Sequence, residues 1–151
     1  MSFPPRRILV VCTGNLCRSP FAAGLLAHLA GAGGLDLQVR SRGLGAADGL
    51  APPAPTRLAA AARGFDLAGH RGTQIELADT EWAEEILVME PWQLEGVRGL
   101  DPVGRVTGLW TFLPGRREIP DPYGSDEEEH RRTARLLEDA LRRWLEERRL
   151  R

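Results

Sequence analysis

Apolar positions along this chain follow two periods, and the switches between them mark out its elements. Ile8-Leu9-Val10-Val11 is an unbroken apolar run, the pattern of a strand buried on both faces. Phe21, Leu25, Leu26 and Leu29 then recur at helical spacing. Ser19 reads as the cap of that helix, Pro20 as its first turn, and the glycines from Gly31 to Gly34 as its stop. Leu37–Ser41 reads as a second strand, and Pro55–Arg63 as an Ala-rich helix closed by Gly64. Thr73 and Glu76 have capping-box spacing, which predicts a short turn of helix. Ile86–Met89 is a buried strand, and Pro91 opens a short helix after it. Val106–Phe112 reads as a fourth strand interrupted by Gly108. Ser125 and Glu128 form a second capping-box pair, ahead of a helix with Leu137, Leu141, Trp144 and Leu145 on one stripe.

Strands alternating with helices predict an α/β fold, a parallel sheet with helices on both faces. The 151 residues fit a single domain, with no internal repeat and no long linker. Ligands in such sheets bind beyond the carboxyl ends of the strands. The segment after the first strand lies at such an end, and its residues carry chemistry. It reads Cys12-Thr13-Gly14-Asn15-Leu16-Cys17-Arg18-Ser19. A tight loop between strand and helix points successive N–H groups inward, and the helix start adds partial positive charge. Arg18 offers a planar fork for two phosphate oxygens. The same field favours a thiolate at Cys12. A nucleophile inside an anion cradle predicts phosphoryl transfer through a phosphocysteine. The alternative for the loop alone is a buried structural cysteine beside an arginine paired elsewhere.

Val11 to Pro20 resembles the signature of the low-molecular-weight protein tyrosine phosphatases, and further motifs follow in family order. Ser41-Arg42-Gly43 resembles that family's Ser-Ala-Gly, and Asp66-Leu67-Ala68-Gly69-His70-Arg71 its Asp-Leu-Ser-Gly-His-Arg. Ile86 to Glu90 resembles its third strand, and Pro120-Asp121-Pro122-Tyr123 its acid loop. The resemblance implies a three-layer fold on a four-stranded parallel sheet. It implies Cys12 as nucleophile, Thr13 to Ser19 as the phosphate-binding loop, Arg18 as the oxyanion clamp and Asp121 as general acid, aimed by its flanking prolines. Asn15, Ser19, Ser41 and His70 match a hydrogen-bond network under the loop. Cys17 matches a second cysteine, for which two roles stand open: a protective disulfide with Cys12 under oxidation, or a buried thiol acting as a small apolar residue. Leu16, Ala47, Asp48 and Tyr123 fall where the substrate cleft would be.

The chain also departs from the family. Leu44 to Leu50 contains no aromatic, and only Tyr123 follows Asp121-Pro122, so a more open cleft is expected. Glu84 stands where an Asp is usual, and Arg42 replaces a small residue. Protein-arginine phosphatases resemble this chain in the Cys-Thr-Gly-Asn opening and in the single aromatic followed by Gly124. They carry Thr at the position of Leu16, and the apolar Leu16 favours a phenyl ring instead. Arsenate reductases of this fold need downstream cysteines, and none follows Cys17. A non-catalytic phosphate-binding module would not need Cys12, Arg18 and Asp121 together.

Composition narrows the rest. Hydrophobic content of 42% and a net charge of −1 fit a globular protein without a nucleic-acid or membrane partner. All 20 basic residues are Arg, a compositional trait rather than a functional one. Both cysteines lie in the loop, unlike a secreted disulfide scaffold. No apolar run approaches the ~20 residues of a membrane span, and residues 1–7 lack the apolar core of a signal peptide. A cytoplasmic protein is expected, a monomer or weak dimer that acts on a phosphorylated protein and holds phosphate or a similar oxyanion. No cofactor and no metal are expected, since no Cys/His/Asp cluster has ligand spacing. His28 and His130 are expected on helix surfaces, and the arginines from Arg142 to Arg151 on a solvated helix face.

Overall fold

The computed structural model describes residues 6–149. The element order is β1 (Arg7–Cys12), α1 (Arg18–Ala32), β2 (Gln38–Gly43), α2 (Ala54–Ala62), α3 (Leu77–Trp82), β3 (Glu85–Val88), α4 (Pro91–Arg98), β4 (Arg105–Gly108) and α5 (Glu127–Arg149), with a 3-10 turn at Leu109–Phe112. The four strands form one parallel sheet in the order β2-β1-β3-β4. The expected four-stranded α/β fold is therefore present.

Alternation along β1 sorts its side chains to two cores. Ile8, Val10 and Cys12 face one layer with Phe21, Leu25 and Leu26 of α1 and Leu137, Leu141 and Trp144 of α5. Leu9 and Val11 face the other with Ile86, Val88 and Val97. Both faces of β1 are covered, which is why its sequence is an unbroken apolar run.

Several boundaries differ from the sequence reading. Gly108 ends the fourth strand, and Leu109–Phe112 continues as a 3-10 turn. The capping box near Thr73 sits one turn later, between Glu76 and Asp79. Ahead of α5, Asp126 rather than Ser125 caps the helix, accepting the Glu129 N–H at 3.0 Å. His130 is buried rather than on the surface. Of the arginines from Arg142 to Arg151, Arg148 is buried, and residues 150 and 151 lie outside the described residues, as do 1–5 of the amino-terminal segment.

Arg148 closes the sheet at the end opposite the Cys12 loop. Its guanidinium donates to both oxygens of Glu85, Nε to Oε1 at 2.8 Å and Nη2 to Oε2 at 2.6 Å. Thr107 Oγ1 at 2.7 Å and Trp144 Nε1 at 3.2 Å also donate to Glu85 Oε2. Burial pushes the Glu85 carboxyl up, but the Arg148 and Thr107 hydrogen bonds and the Arg148 charge outweigh it and hold the carboxyl below the usual carboxylate range. Arg148→Met leaves the buried Glu85 carboxylate without its charge partner, so unfolding free energy should fall by about 3–5 kcal/mol in denaturant titration, whereas Glu85→Gln leaves Arg148 its second partner Glu147 at 3.2 Å and should cost less. Because the folded carboxyl titrates below its unfolded value, the pair's contribution is complete above the ordinary carboxylate range and fades as pH falls through the folded value. The stability difference between Glu85→Gln and the unsubstituted protein should shrink in acid; a difference independent of pH would contradict this account.

Candidate active site

The loop from Thr13 to Cys17 joins the carboxyl end of β1 to the start of α1. The segment after β2 runs beside it and ties down its carbonyls. The N–H groups of Leu44, Gly45 and Ala47 donate to the carbonyls of Cys12, Thr13 and Gly14 at 3.0, 3.0 and 3.1 Å. His70 Nε2 donates to the Asn15 carbonyl at 2.8 Å. In a trans peptide the C=O of one residue and the N–H of the next point in opposite directions. Four carbonyls held outward therefore turn the N–H groups of Thr13, Gly14, Asn15 and Leu16 the other way, into the loop. Close approach makes this possible: a Cβ on Gly43 would collide with the Thr13 carbonyl, and one on Gly72 with the Ala47 carbonyl.

Asn15 holds the bend. It is fully buried, with φ of 58°, a left-handed conformation that Asn tolerates. Its Nδ2 donates to Ser19 Oγ at 2.7 Å, and its Oδ1 accepts the Thr73 N–H at 2.9 Å. Ser19 Oγ lies 3.0 Å from Cys12 Sγ and 3.3 Å from the Arg42 carbonyl. Since Asn15 donates to that hydroxyl, its single proton is left for one of two acceptors, the Cys12 sulfur or the Arg42 carbonyl. Ser19 is thus not the helix cap; α1 starts at Arg18, with Cys17 at the cap position and no capping side chain. The Thr73 hydroxyl likewise caps no helix but donates to the Arg71 carbonyl at 3.0 Å. Burial lowers the pKa of His70, which keeps the imidazole neutral, and its bond to a carbonyl fixes the proton on Nε2. Asn15, Ser19 and His70 come together as expected. Among the described residues Ser41 shares no hydrogen bond with these three; its carbonyl accepts from the neighbouring Arg42 Nη1 at 2.8 Å. Arg42, unexplained in the sequence, pairs with Asp79 at 3.1 Å and so ties β2 to α3.

Arg18 is 1% exposed, and its fork is divided among four partners. Nη1 donates to Glu90 Oε2 at 2.9 Å and to the Ile119 carbonyl at 2.8 Å. Nη2 lies 3.5 Å from Thr13 Oγ1 and 3.6 Å from Asp121 Oδ2. Its buried Nε has no hydrogen-bond partner. The acid loop is anchored at Ile119, whose N–H donates to the Met89 carbonyl at 2.9 Å. Asp121 is half-exposed beyond that anchor.

Two residues here carry no role in the sequence reading. Glu90 ends the third-strand motif and pairs with Arg18. Gln93 is fully buried; its Nε2 donates to Thr13 Oγ1 at 3.1 Å and to Glu90 Oε2 at 3.2 Å, and its Oε1 accepts the N–H groups of Met89 and Glu90. The pair forms the capping box of α4, and the Glu-Pro-x-Gln spacing after a buried strand was the available signal.

The cleft residues divide. Leu16, expected at the cleft mouth, is 6% exposed and packs toward Gly72 beside the Ala47 carbonyl. Ala47 is half-buried and Asp48 exposed, but Asp48 Oδ1 is engaged by the Gln74 N–H at 3.0 Å. Tyr123 is exposed, and its N–H donates to Asp121 Oδ1 at 3.1 Å. Cys17 faces away, into a small space lined by Phe21, Thr56 and His130. Burial pushes its thiol up to about 11, so it stays protonated at neutral pH; this supports the packing role. Among the described residues no group of three or more His, Cys, Asp or Glu is placed to hold a metal ion.

These features agree with what the chain is similar to. The sequence model of the low molecular weight phosphotyrosine protein phosphatases matches residues 7–150. The low molecular weight protein-tyrosine-phosphatase Wzb of Escherichia coli K12 is 36% identical over 139 residues, 91% of each chain. A protein-arginine-phosphatase of Geobacillus stearothermophilus is 32% identical over 145 residues, 94% of this chain and 95% of the relative. The crystal structure of the tyrosine phosphatase Wzb from Escherichia coli K30 in complex with sulphate superposes with a TM-score of 0.85 at 34% identity, covering 95% of this chain and 98% of that one. The chain belongs to the low molecular weight phosphotyrosine protein phosphatase family and is a hydrolase of that type.

Proposed function

We propose that this chain hydrolyses protein phosphotyrosine through a phosphocysteine formed on Cys12. The observation that carries the reading is the buried Arg18 Nε, a donor without a partner, in a loop whose amides are turned inward around the Cys12 sulfur. A tetrahedral oxyanion supplies the acceptors that such donors lack. The sulphate named with the Wzb structure is an anion of that shape.

In the first step Cys12 Sγ attacks phosphorus, the S–P bond forms, and the P–O bond to the phenol breaks. Asp121 delivers a proton to the departing oxygen. Arg18 and the amides of the loop hold the three equatorial oxygens as charge shifts among them. In the second step Asp121 takes a proton from water, the water oxygen attacks phosphorus, and the S–P bond breaks. The Ser19 hydroxyl stabilises the departing sulfur. Glu90 and Gln93 act indirectly, by fixing the Arg18 fork. The proposed setting is the cytoplasm, whose reducing poise keeps Cys12 a free thiol. Among the described residues no helix is long and apolar enough to cross a membrane.

Asp121→Asn should slow aryl phosphates with poor leaving groups by ~10²–10⁴-fold. Substrates with good leaving groups should lose less, because their departing oxygen needs no proton. Steady-state rates across a series of substituted phenyl phosphates measure this. Equal losses along the series would make Asp121 a structural residue.

The similarity to a protein-arginine-phosphatase makes phosphoarginine the second candidate substrate. What favours phosphotyrosine is that Leu16, where protein-arginine phosphatases resemble one another in carrying Thr, is apolar and only 6% exposed, so the loop offers no hydroxyl to a guanidinium at that position. Matched peptides should be cleaved in the order phosphotyrosine, phosphoarginine, phosphoserine, the last because its stem is too short to carry phosphate to a recessed sulfur. Leu16→Thr should shift preference toward phosphoarginine. Faster cleavage of phosphoarginine by the unsubstituted protein would reverse the assignment.

A further inference from the structure

Trp92 lies outside the chemistry just described, yet its position is fixed by it. The residue follows Pro91 in the first turn of α4 and is 51% exposed. The indole is held: Nε1 donates to Glu90 Oε2 at 3.3 Å, the oxygen that also accepts Arg18 Nη1 at 2.9 Å. Tyr123 lies beside the other acid but is held there by its main chain. It is 58% exposed, and its N–H donates to Asp121 Oδ1 while Oδ2 faces Arg18 Nη2. The Trp92 ring itself is thus one hydrogen bond from a carboxylate that touches Arg18, whereas Tyr123 is tied to the other carboxylate through its backbone only.

We propose that Trp92 is the aromatic wall of the substrate cleft and that its indole packs against the aryl group of the phosphomonoester held in the Cys12 loop. This inference rests on the phosphotyrosine reading and adds the residue that recognises the ring. A tryptophan placed only to fill the core would be buried; half of this one faces solvent. Its single polar group is already satisfied by Glu90, so the open surface is flat and apolar. The tether also limits the rotamer freedom that stacking would otherwise have to remove. The segment from Leu44 to Leu50 offers no aromatic, so a ring must find its flat partner elsewhere, and Trp92 is available just after the carboxyl end of β3, on the other side of β1 from that segment.

The test is competitive inhibition by phenylphosphonate, methylphosphonate and inorganic phosphate, compared among the unsubstituted protein, Trp92→Ala and Trp92→Phe. In the unsubstituted protein phenylphosphonate should bind more tightly than methylphosphonate. Trp92→Ala should weaken phenylphosphonate by about 2- to 12-fold, the range of a stacked aromatic pair, and leave the inhibition constant of inorganic phosphate in place. Trp92→Phe should restore most of the loss. A phenyl advantage that survives Trp92→Ala overturns the inference and leaves the phosphotyrosine reading standing. So does equal weakening of all three anions, which would show the indole acting only through Glu90 on Arg18. If the unsubstituted protein shows no phenyl advantage and cleaves phosphoarginine peptides faster, the reading and the inference fall together.

Discussion

The site depends on one buried cation. Arg18 lies at the first turn of α1 with 1% of its surface exposed, a burial that would be prohibitive for an unpaired charge. Its solution is to spread the fork over elements from across the chain. Glu90 comes from the end of β3, Ile119 and Asp121 from the acid loop, and Thr13 from its own loop. The loop that carries Asp121, the proposed general acid, is therefore held in part by the group that would hold the phosphoryl oxygens. Removing the Arg18 charge would release both at once, so clamp and acid are one mechanical unit. Gln93 extends that unit, because one buried amide joins Thr13 to Glu90 and caps α4 as well.

The second constraint is where backbone carbonyls go. A phosphate loop must present amides inward, and this can be achieved only by giving the opposing carbonyls partners outside. Leu44, Gly45, Ala47 and His70 supply those partners. The close contacts at Gly43 and Gly72 follow from the same need, because a side chain at either would push the supporting segment away. Asn15 adds the left-handed turn and uses both ends of its amide to hold it. The geometry around Cys12 is thus imposed from the neighbouring segments rather than by the loop sequence alone.

Strand and helix positions were legible in the sequence because a sheet buried on both faces writes unbroken apolar runs, and amphipathic helices write a stripe. The misplaced helix starts have a common cause. Ser19 and Thr73 look like caps because Ser and Thr accept helix N–H groups, but here the Ser19 hydroxyl faces Cys12 and the Thr73 hydroxyl donates to the Arg71 carbonyl. His130 and Arg148 read as surface residues by polarity, although each lies seven positions from a member of the stripe, Leu137 and Leu141. A polar residue on an apolar stripe is buried when a partner waits for it. Thr56 lies 3.4 Å from His130, and Glu85 pairs with Arg148, contacts between residues more than sixty positions apart. Cys12, Arg18 and Asp121 could be named from motifs. Glu90 and Gln93 had only the Glu-Pro-x-Gln spacing of a capping box to mark them, because their contacts with Arg18 and Thr13 arise from where β3 ends in space.

The central claim is that the amides from Thr13 to Arg18 form an oxyanion cradle around Cys12. Titrating ¹⁵N-labelled protein with inorganic phosphate tests it directly. The account predicts that the backbone amide resonances of Thr13 to Arg18 and the Arg18 Nε–H shift together with a single affinity, while the Glu85–Arg148 end of the sheet stays still. Phosphate-dependent shifts confined to surface arginines, with the loop amides unmoved, would contradict it.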